Sequence, residues 1–320
     1  MVSLISTPAA AAVRAEDAAL PPPTRPALLI WRRFRRHKAA LVGATILIFL
    51  ALLAILAPAI AGWRGQDHEA VNLFNRFQPA SAEHPLGTDD LGRDLLLRLI
   101  YGGRISLFVG LVTAILTASI GTVIGLISGW YGGRVDAFLM RFCDGWISLP
   151  LLPVLIVLAA VDPTKVGLPI SIAKSPDLSL YRIVLIIALV AWTTSARLVR
   201  GVTLTLKTRD FVQAAVAQGA STARILFVHI LPNALSPILV AATLASGNII
   251  LLESTLSFLG LGIQPPVASW GNILTNAQEI IWSQPMQAIY PGVLIFTTVI
   301  SLNFVGDGLQ DAFDPRTEGR

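Results

Sequence analysis

Few side chains in this sequence have the type and spacing to do chemistry. Glu253 sits in the run NIILLESTLSFLG, with no other charge close by in sequence. A carboxylate facing lipid is expensive, so Glu253 must face protein, a cavity or water. Two readings are open: a pathway or hinge group acting with Ser257, or a neutral hydrogen-bonded group. Arg141 and Asp144 stand three apart, on one face of a helix, and can pair or line a pathway. The four histidines, His37, His68, His84 and His229, are scattered, and only His68 and His84 share a loop, a spacing poor for a metal site. Asp89, Asp90, Arg93 and Asp94 form a charged cluster that can receive a partner or cap a helix, with Asp90 near the helix start. A phosphate-cradling loop needs Gly-Lys before Ser or Thr, and none of Lys38, Lys165, Lys174 or Lys207 follows a glycine. No nucleophile stands with a base inside an apolar run, so no catalytic residue is assigned and an intramembrane enzyme has nothing to work with.

The elements that carry these residues are spans. The chain of 320 residues is 54% hydrophobic and 13% charged, with a mean hydropathy of +0.69. Soluble domains run near about 25% charged. Six apolar runs, about 39–61, 105–131, 137–161, 181–199, 234–261 and 286–305, are long enough to cross a bilayer, which takes about 20 residues each. The fold class is therefore all-α, integral to the membrane, with six transmembrane helices. Trp63, Tyr101, Trp130, Tyr131, Tyr181 and Tyr290 lie near span ends, as interfacial anchors do. The first run imitates a signal peptide, but it is longer than a signal core of about 7–15 residues. The single Cys143 excludes an internal disulfide.

The formal charge of +5 does not point to nucleic acid, because Arg32, Arg33, Arg35, Arg36 and Lys38 crowd against the first span and suit anionic membrane lipid. Arg134, Arg141, Arg197, Arg200, Lys207, Arg209, Arg224, Arg316 and Arg320 fall on the same side, so both termini are expected in the cytoplasm. The division follows: a tail and basic flank 1–38, a first span 39–61, an extracytoplasmic loop 62–104, a five-helix core 105–306 containing a cytoplasmic loop 200–232, and a tail 307–320. Gly121, Gly125 and Gly129 recur every fourth residue and admit another helix at close range, for packing or for sliding.

The cytoplasmic loop has its own punctuation. Thr208 or Asp210 can cap a short helix with Phe211, Ala214, Ala215 and Gln218 on one side. Gly219 can end it, Ser221 can cap a second helix through Arg224, Ile225 and Val228, and Pro232 suits the entry to the fifth span. The result is a bracket whose ends are embedded in two spans, either a plain connector or a place to be gripped.

Gln213-Ala214-Ala215, then Gly219, then Leu231-Pro232 resembles the EAA signature of bacterial ABC-importer permeases: Glu-Ala-Ala, three residues, Gly, nine residues, Ile-x-Leu-Pro. Here Gln213 replaces the Glu and His229 stands at the Ile position. The stretches HPLGTDDLGRDLLLRLIYGGRISL and ESTLSFLGLGIQPPVASWGNIL are similar to those of the dipeptide, oligopeptide and nickel subfamily, in its C-type subunit. The resemblance implies a type I importer permease fold with an added N-terminal helix. Asp210, Gln213, Ala214, Ala215, Gly219, Ala220, Leu231 and Pro232 would then couple to a cytoplasmic ATPase. It further implies a heterodimer with a homologous B-type permease, two ATPase subunits carrying ATP and Mg, an extracytoplasmic solute-binding protein, and no cofactor on this chain. Cargo would be di- or oligopeptides in preference to nickel. The rival from another class is a secondary transporter driven by an ion gradient through Glu253, which would want paired carboxylates or two similar halves, and neither is visible.

Overall fold

The computed structural model describes residues 26–314 apart from 168, 174 and 276. Residues 1–25 of the predicted tail and flank 1–38, and Arg316 and Arg320 of the predicted tail 307–320, lie outside the described residues. Among the described residues the chain is helical, with one isolated bridge between Thr88 and Asp94 and no strand. Five helices are long and apolar enough to span a bilayer, six if a bent pair counts as one span.

Helix α1, Pro26–Phe34, lies where a basic flank was expected, and buries Phe34 with Ile30 against Leu309 and Ala312 of the last helix. Helix α2, Lys38–Arg64, is capped by His37, whose Nδ1 accepts from the Ala40 N–H at 3.0 Å. Helix α3, Leu95–Tyr131, starts well before the predicted 105. Its first turns carry Arg98, Arg104 and two glycines, which break the apolar run that the sequence reading depended on. Protein replaces lipid there: Arg98 is buried against Asp89, and Gly102 and Gly103 lie against Trp270. The cap is Asp94, accepting from the Leu97 N–H at 2.8 Å, not Asp90.

The predicted third span is two helices, α4 (Gly133–Ile147) and α5 (Leu151–Ala160), meeting at 83°. Pro150 has no N–H to continue the ladder and sits as the α5 cap, so the chain turns there. Helix α6, Pro176–Lys207, outruns its predicted 181–199 at both ends. After it come the short α7 (Asp210–Ala217), α8 (Leu231–Phe258), a single turn α9 (Trp270–Ile273) and α10 (Met286–Phe313), which continues into the first part of what was read as tail.

Connectivity gives the bundle two ends. The elbow end holds α1, α7 and the close of α10; the far end holds the loops around 65–94 and 259–285. Helices α3 and α6 run against each other along Gly121, Gly125 and Gly129. A Cβ on these would come within 2.5 Å of Ser195 Cβ, 2.6 Å of the Ala196 carbonyl and 2.6 Å of Thr203 Cβ respectively. Backbone thus meets backbone, the close approach that drives helix association where lipid offers no hydrophobic gain.

Candidate functional site

The elbow is built from residue types that stop and restart helices. Helix α7 begins after Arg209, with no side-chain cap; Thr208 Oγ1 donates back to the Thr205 carbonyl, and Asp210 lies in the first turn, where a negative charge favours the helix dipole. The expected caps are therefore absent. At the other end Ala220 N–H donates to Ala215 O and Gly219 N–H to Val216 O, with Gly219 at φ +77°. That bond pair closes a helix through a left-handed residue, the conformation glycine adopts without a Cβ penalty. Ser221 then accepts from the Arg224 N–H, but the second helix does not stop. Residues Ile225–Ile230 widen into a π turn that runs straight into α8. Pro232 cannot donate, and Asn233 Nδ2 supplies a donor to the His229 carbonyl at 2.7 Å.

Burial divides the elbow into two faces. Val212 and Ala215 pack inward with Leu126, Val199, Ile225, Leu226 and Ile230, while Ala220 and Leu231 are partly covered. Phe211, Ala214, Val216, Gln218, Phe227 and Val228 face out, so the expected stripe of Phe211, Ala214, Ala215 and Gln218 is split: Ala215 belongs to the inner face. Gln213 donates from Nε2 to the Lys207 carbonyl at 2.8 Å, tying α7 to the last turn of α6. An ionised glutamate could only accept there.

Neighbouring bonds brace the elbow. Arg200 Nη2 donates to Asp136 Oδ2 at 2.6 Å, and Ser128 donates to the same carboxylate, joining α6, α4 and α3. Lys207 Nζ donates to the Trp130 carbonyl and stands 5.3 Å from the Trp130 ring. Asp136 and Arg200 lie too far apart in sequence for any spacing rule to link them. The predicted Arg141–Asp144 pair does not form: Arg141 is exposed, and Asp144 lies 3.9 Å from Arg197 of α6. Helical register permits the first pairing, but the adjacent helix presents a guanidinium to Asp144 instead.

Glu253 is fully buried near the far end of α8. Ser257 and Ser269 donate to Oε1 at 2.7 and 2.9 Å, and Ser106 and Ser254 approach Oε2 at 3.2 and 3.5 Å. Three of these hydroxyls have their acceptor side occupied: Ser257 takes the Ile263 N–H, Ser269 the Asn272 N–H and Ser106 the Trp270 N–H. Each of the three keeps its proton to give to the Glu253 carboxyl. The cage joins α3, α8 and α9, and Trp270 Nε1 adds a bond to the Leu99 carbonyl at 2.9 Å. The hydrogen bonds of the second reading are present, and Ser257 of the first is one of the donors.

A separate cleft of about 450 Å³ lies between α3, the α4–α5 bend, α6 and α8, lined by Thr117, Trp146, Thr193, Thr194, Asn248 and apolar neighbours. Its lining has no charged residue. Glu253, Ser257, Arg141 and Asp144, the predicted pathway group, are all absent from that lining. The run Thr193-Thr194-Ser195 inside an apolar span was the available signal for it. Of the loop histidines, His84 bonds Asp94 at 3.0 Å, and His68 stacks on Tyr101 at 3.6 Å between Asp67 and Glu69. Burial holds the His68 imidazole below its usual value, against the pull of Glu69 and Asp67.

Comparison with known proteins places this architecture. Residues 26–79 match the N-terminal TM domain of oligopeptide transport permease C. The oligopeptide transport system permease protein OppC of Bacillus subtilis is 38% identical over 297 residues, covering 92% of each chain. A putative peptide transport system permease protein of Brucella abortus is 40% identical over 291 residues, 91% of this chain and 92% of its own. The dipeptide transport system permease protein DppC of Haemophilus influenzae is 35% identical over 298 residues, 92% and 96% of the two chains. Residues 121–319, most of the helical core, match the model of the binding-protein-dependent transport system inner membrane components, and this multi-pass membrane chain belongs to that family of bacterial transport permeases.

Proposed function

We propose that this chain is the C-type half of an ATP-driven importer of di- or oligopeptides, and that α7 is the part gripped by a cytoplasmic ATPase subunit. The observation that carries the reading is the two-faced elbow. Val212 and Ala215 bind α7 to the bundle while Phe211, Ala214 and Gln218 stand outward, and both ends continue into spanning helices. A push on the exposed face is delivered to α6 and α8 together. Asp210, Gln213, Ala214, Ala215, Gly219, Ala220, Leu231 and Pro232 form or support that lever. ATP and Mg reside on two ATPase subunits, a homologous B-type permease completes the pathway, and an extracytoplasmic binding protein delivers cargo. The elbow end and both termini then lie in the cytoplasm, with the chain in the bacterial inner membrane.

Cargo is proposed to pass along the uncharged cleft by Trp146, Thr194 and Asn248, a wall that suits peptides of differing charge. The peptide assignment draws on the relatives' names. A transporter driven by an ion gradient finds no support among the relatives, whose names are those of peptide transport permeases.

The test is co-expression with candidate ATPase subunits, followed by cargo-stimulated ATP hydrolysis in reconstituted vesicles. Gly219→Pro, which cannot hold φ +77°, is expected to insert and assemble yet lose that stimulation. Solute accumulation by this polypeptide alone under an ion gradient would overturn the proposal.

A further inference from the structure

A cavity of about 350 Å³ at the far end lies between the early turns of α3 and α6 and the loops that carry His68 and Val267. Such a volume is within the range of small-molecule sites, about 300–1,000 Å³. Its walls hold the cation Arg104 and two carboxylates, Glu69 and Asp177. Glu69 has the His68 imidazole 3.6 Å away. Burial holds that imidazole below its usual value, so at neutral pH it adds little positive charge. Arg104 and Asp177 are both exposed, and neither makes a hydrogen bond or ion pair among the described residues. The hydroxyls of Tyr101 and Tyr181, on the same walls, likewise make no hydrogen bond there. The cavity therefore offers a free cation, a free carboxylate and two free hydroxyls.

Two apolar stripes leave this cavity along the helices. Phe108 lines it and is followed on α3 by Leu111 and Ile115, all exposed. Tyr181 lines it and is followed on α6 by Leu185 and Leu189, also exposed. Steps of three and four keep each series on one helix face. Helices α3 and α6 run in the same direction. The contacts of Gly121 with Ser195 and of Gly129 with Thr203 set Leu111 level with Leu185, and Ile115 level with Leu189. A polar pocket heading two exposed apolar stripes suits an amphiphile lying along the helices, and tyrosines belong at the depth of its headgroup.

We propose that this cavity holds the headgroup of a membrane phospholipid that carries an ammonium group. Its phosphate meets Arg104, its ammonium lies toward Asp177, and its acyl chains follow the Leu111 and Leu185 stripes. The charges choose the class. Beside one cation and two carboxylates, a headgroup with a phosphate charge alone adds a third negative charge, whereas an ethanolamine headgroup brings one of each sign. The site needs only a chain that crosses a bilayer, which the long apolar helices supply, and does not depend on the importer reading.

The full-length protein in mild detergent would be titrated with dioleoylphosphatidylethanolamine and, separately, dioleoylphosphatidylglycerol, and the lipid retained would be read by native mass spectrometry. Saturable retention of the ethanolamine lipid is expected, at least about tenfold tighter than that of the glycerol lipid. Arg104→Gln should weaken retention of both lipids. Asp177→Asn should weaken the ethanolamine lipid alone and so erase most of the preference. Both side chains are exposed, so neither substitution disturbs the core. Equal affinity for the two lipids, or no saturable retention, would overturn the site on the unaltered protein, with no variant needed. An unchanged preference in Asp177→Asn, or full retention in Arg104→Gln, would overturn it too. Displacement of the ethanolamine lipid by alanyl-alanine or by inorganic phosphate would give the pocket to a free solute and defeat the lipid assignment.

Discussion

Replacing Glu253 by glutamine is the most revealing small change available in this fold, because it alters a donor–acceptor count and almost no volume. Three serine hydroxyls, Ser106, Ser257 and Ser269, each accept a backbone N–H and have their protons to give to the carboxyl. The glutamine oxygen can keep the two shorter contacts, from Ser257 and Ser269. Its amide nitrogen then faces Ser106 and Ser254, donor against donor. Ser254 can rotate, but Ser106 is held by the Trp270 N–H. One buried hydroxyl proton is left without an acceptor, at a cost of about 1–3 kcal/mol. Glu253→Ala removes every acceptor and leaves a void, for roughly 3–5 kcal/mol. Thermal unfolding of the chain in nanodiscs measures both. Adding Ser106→Ala to Glu253→Gln removes the stranded proton, so the double variant should recover part of the loss. Additive losses, or a Glu253→Gln protein as stable as the parent, would refute the acceptor assignment.

Other expectations follow from single contacts. Gly125→Ala places a Cβ 2.6 Å from the Ala196 carbonyl and should lower thermal stability by about 1–3 kcal/mol by separating α3 from α6. Gln213→Glu exchanges a donor for an acceptor beside the Lys207 carbonyl, and should loosen α7, read as faster amide exchange across 208–218, while leaving insertion unchanged. His68 has an imidazole that burial holds below the usual 6.5, so the unfolded chain takes up the proton more readily. Stability should therefore fall as pH drops through 6.5 toward the lower folded value, and His68→Gln should flatten that part of the denaturation profile.

Helix ends in this chain show how far local residues reach. Gly219 and Ser221 announce their stop and start because their chemistry is local, a left-handed residue and a hydroxyl cap. Asp94 and Asp90 are equally good caps by type. The tertiary structure starts the helix at Leu95, with Asp94 capping the Leu97 N–H and Arg98 one turn on meeting Asp89. The bend at Pro150 was written in a residue that lacks an N–H, yet the surrounding apolar run concealed it as one continuous span.

Hydropathy and the distribution of basic residues set the number of spans and the identity of the polar segment between α6 and α8, because the cost of polar groups in lipid acts residue by residue. The motif around Gly219 gave the family for the same reason: its spacing survives in one dimension. Tertiary structure alone decided that Asp144 meets Arg197, that Asp136 meets Arg200, and that four serines from three segments enclose Glu253. Those partners converge only when helices distant in sequence pack side by side, and a buried charge takes its role from whichever donors that packing brings to it.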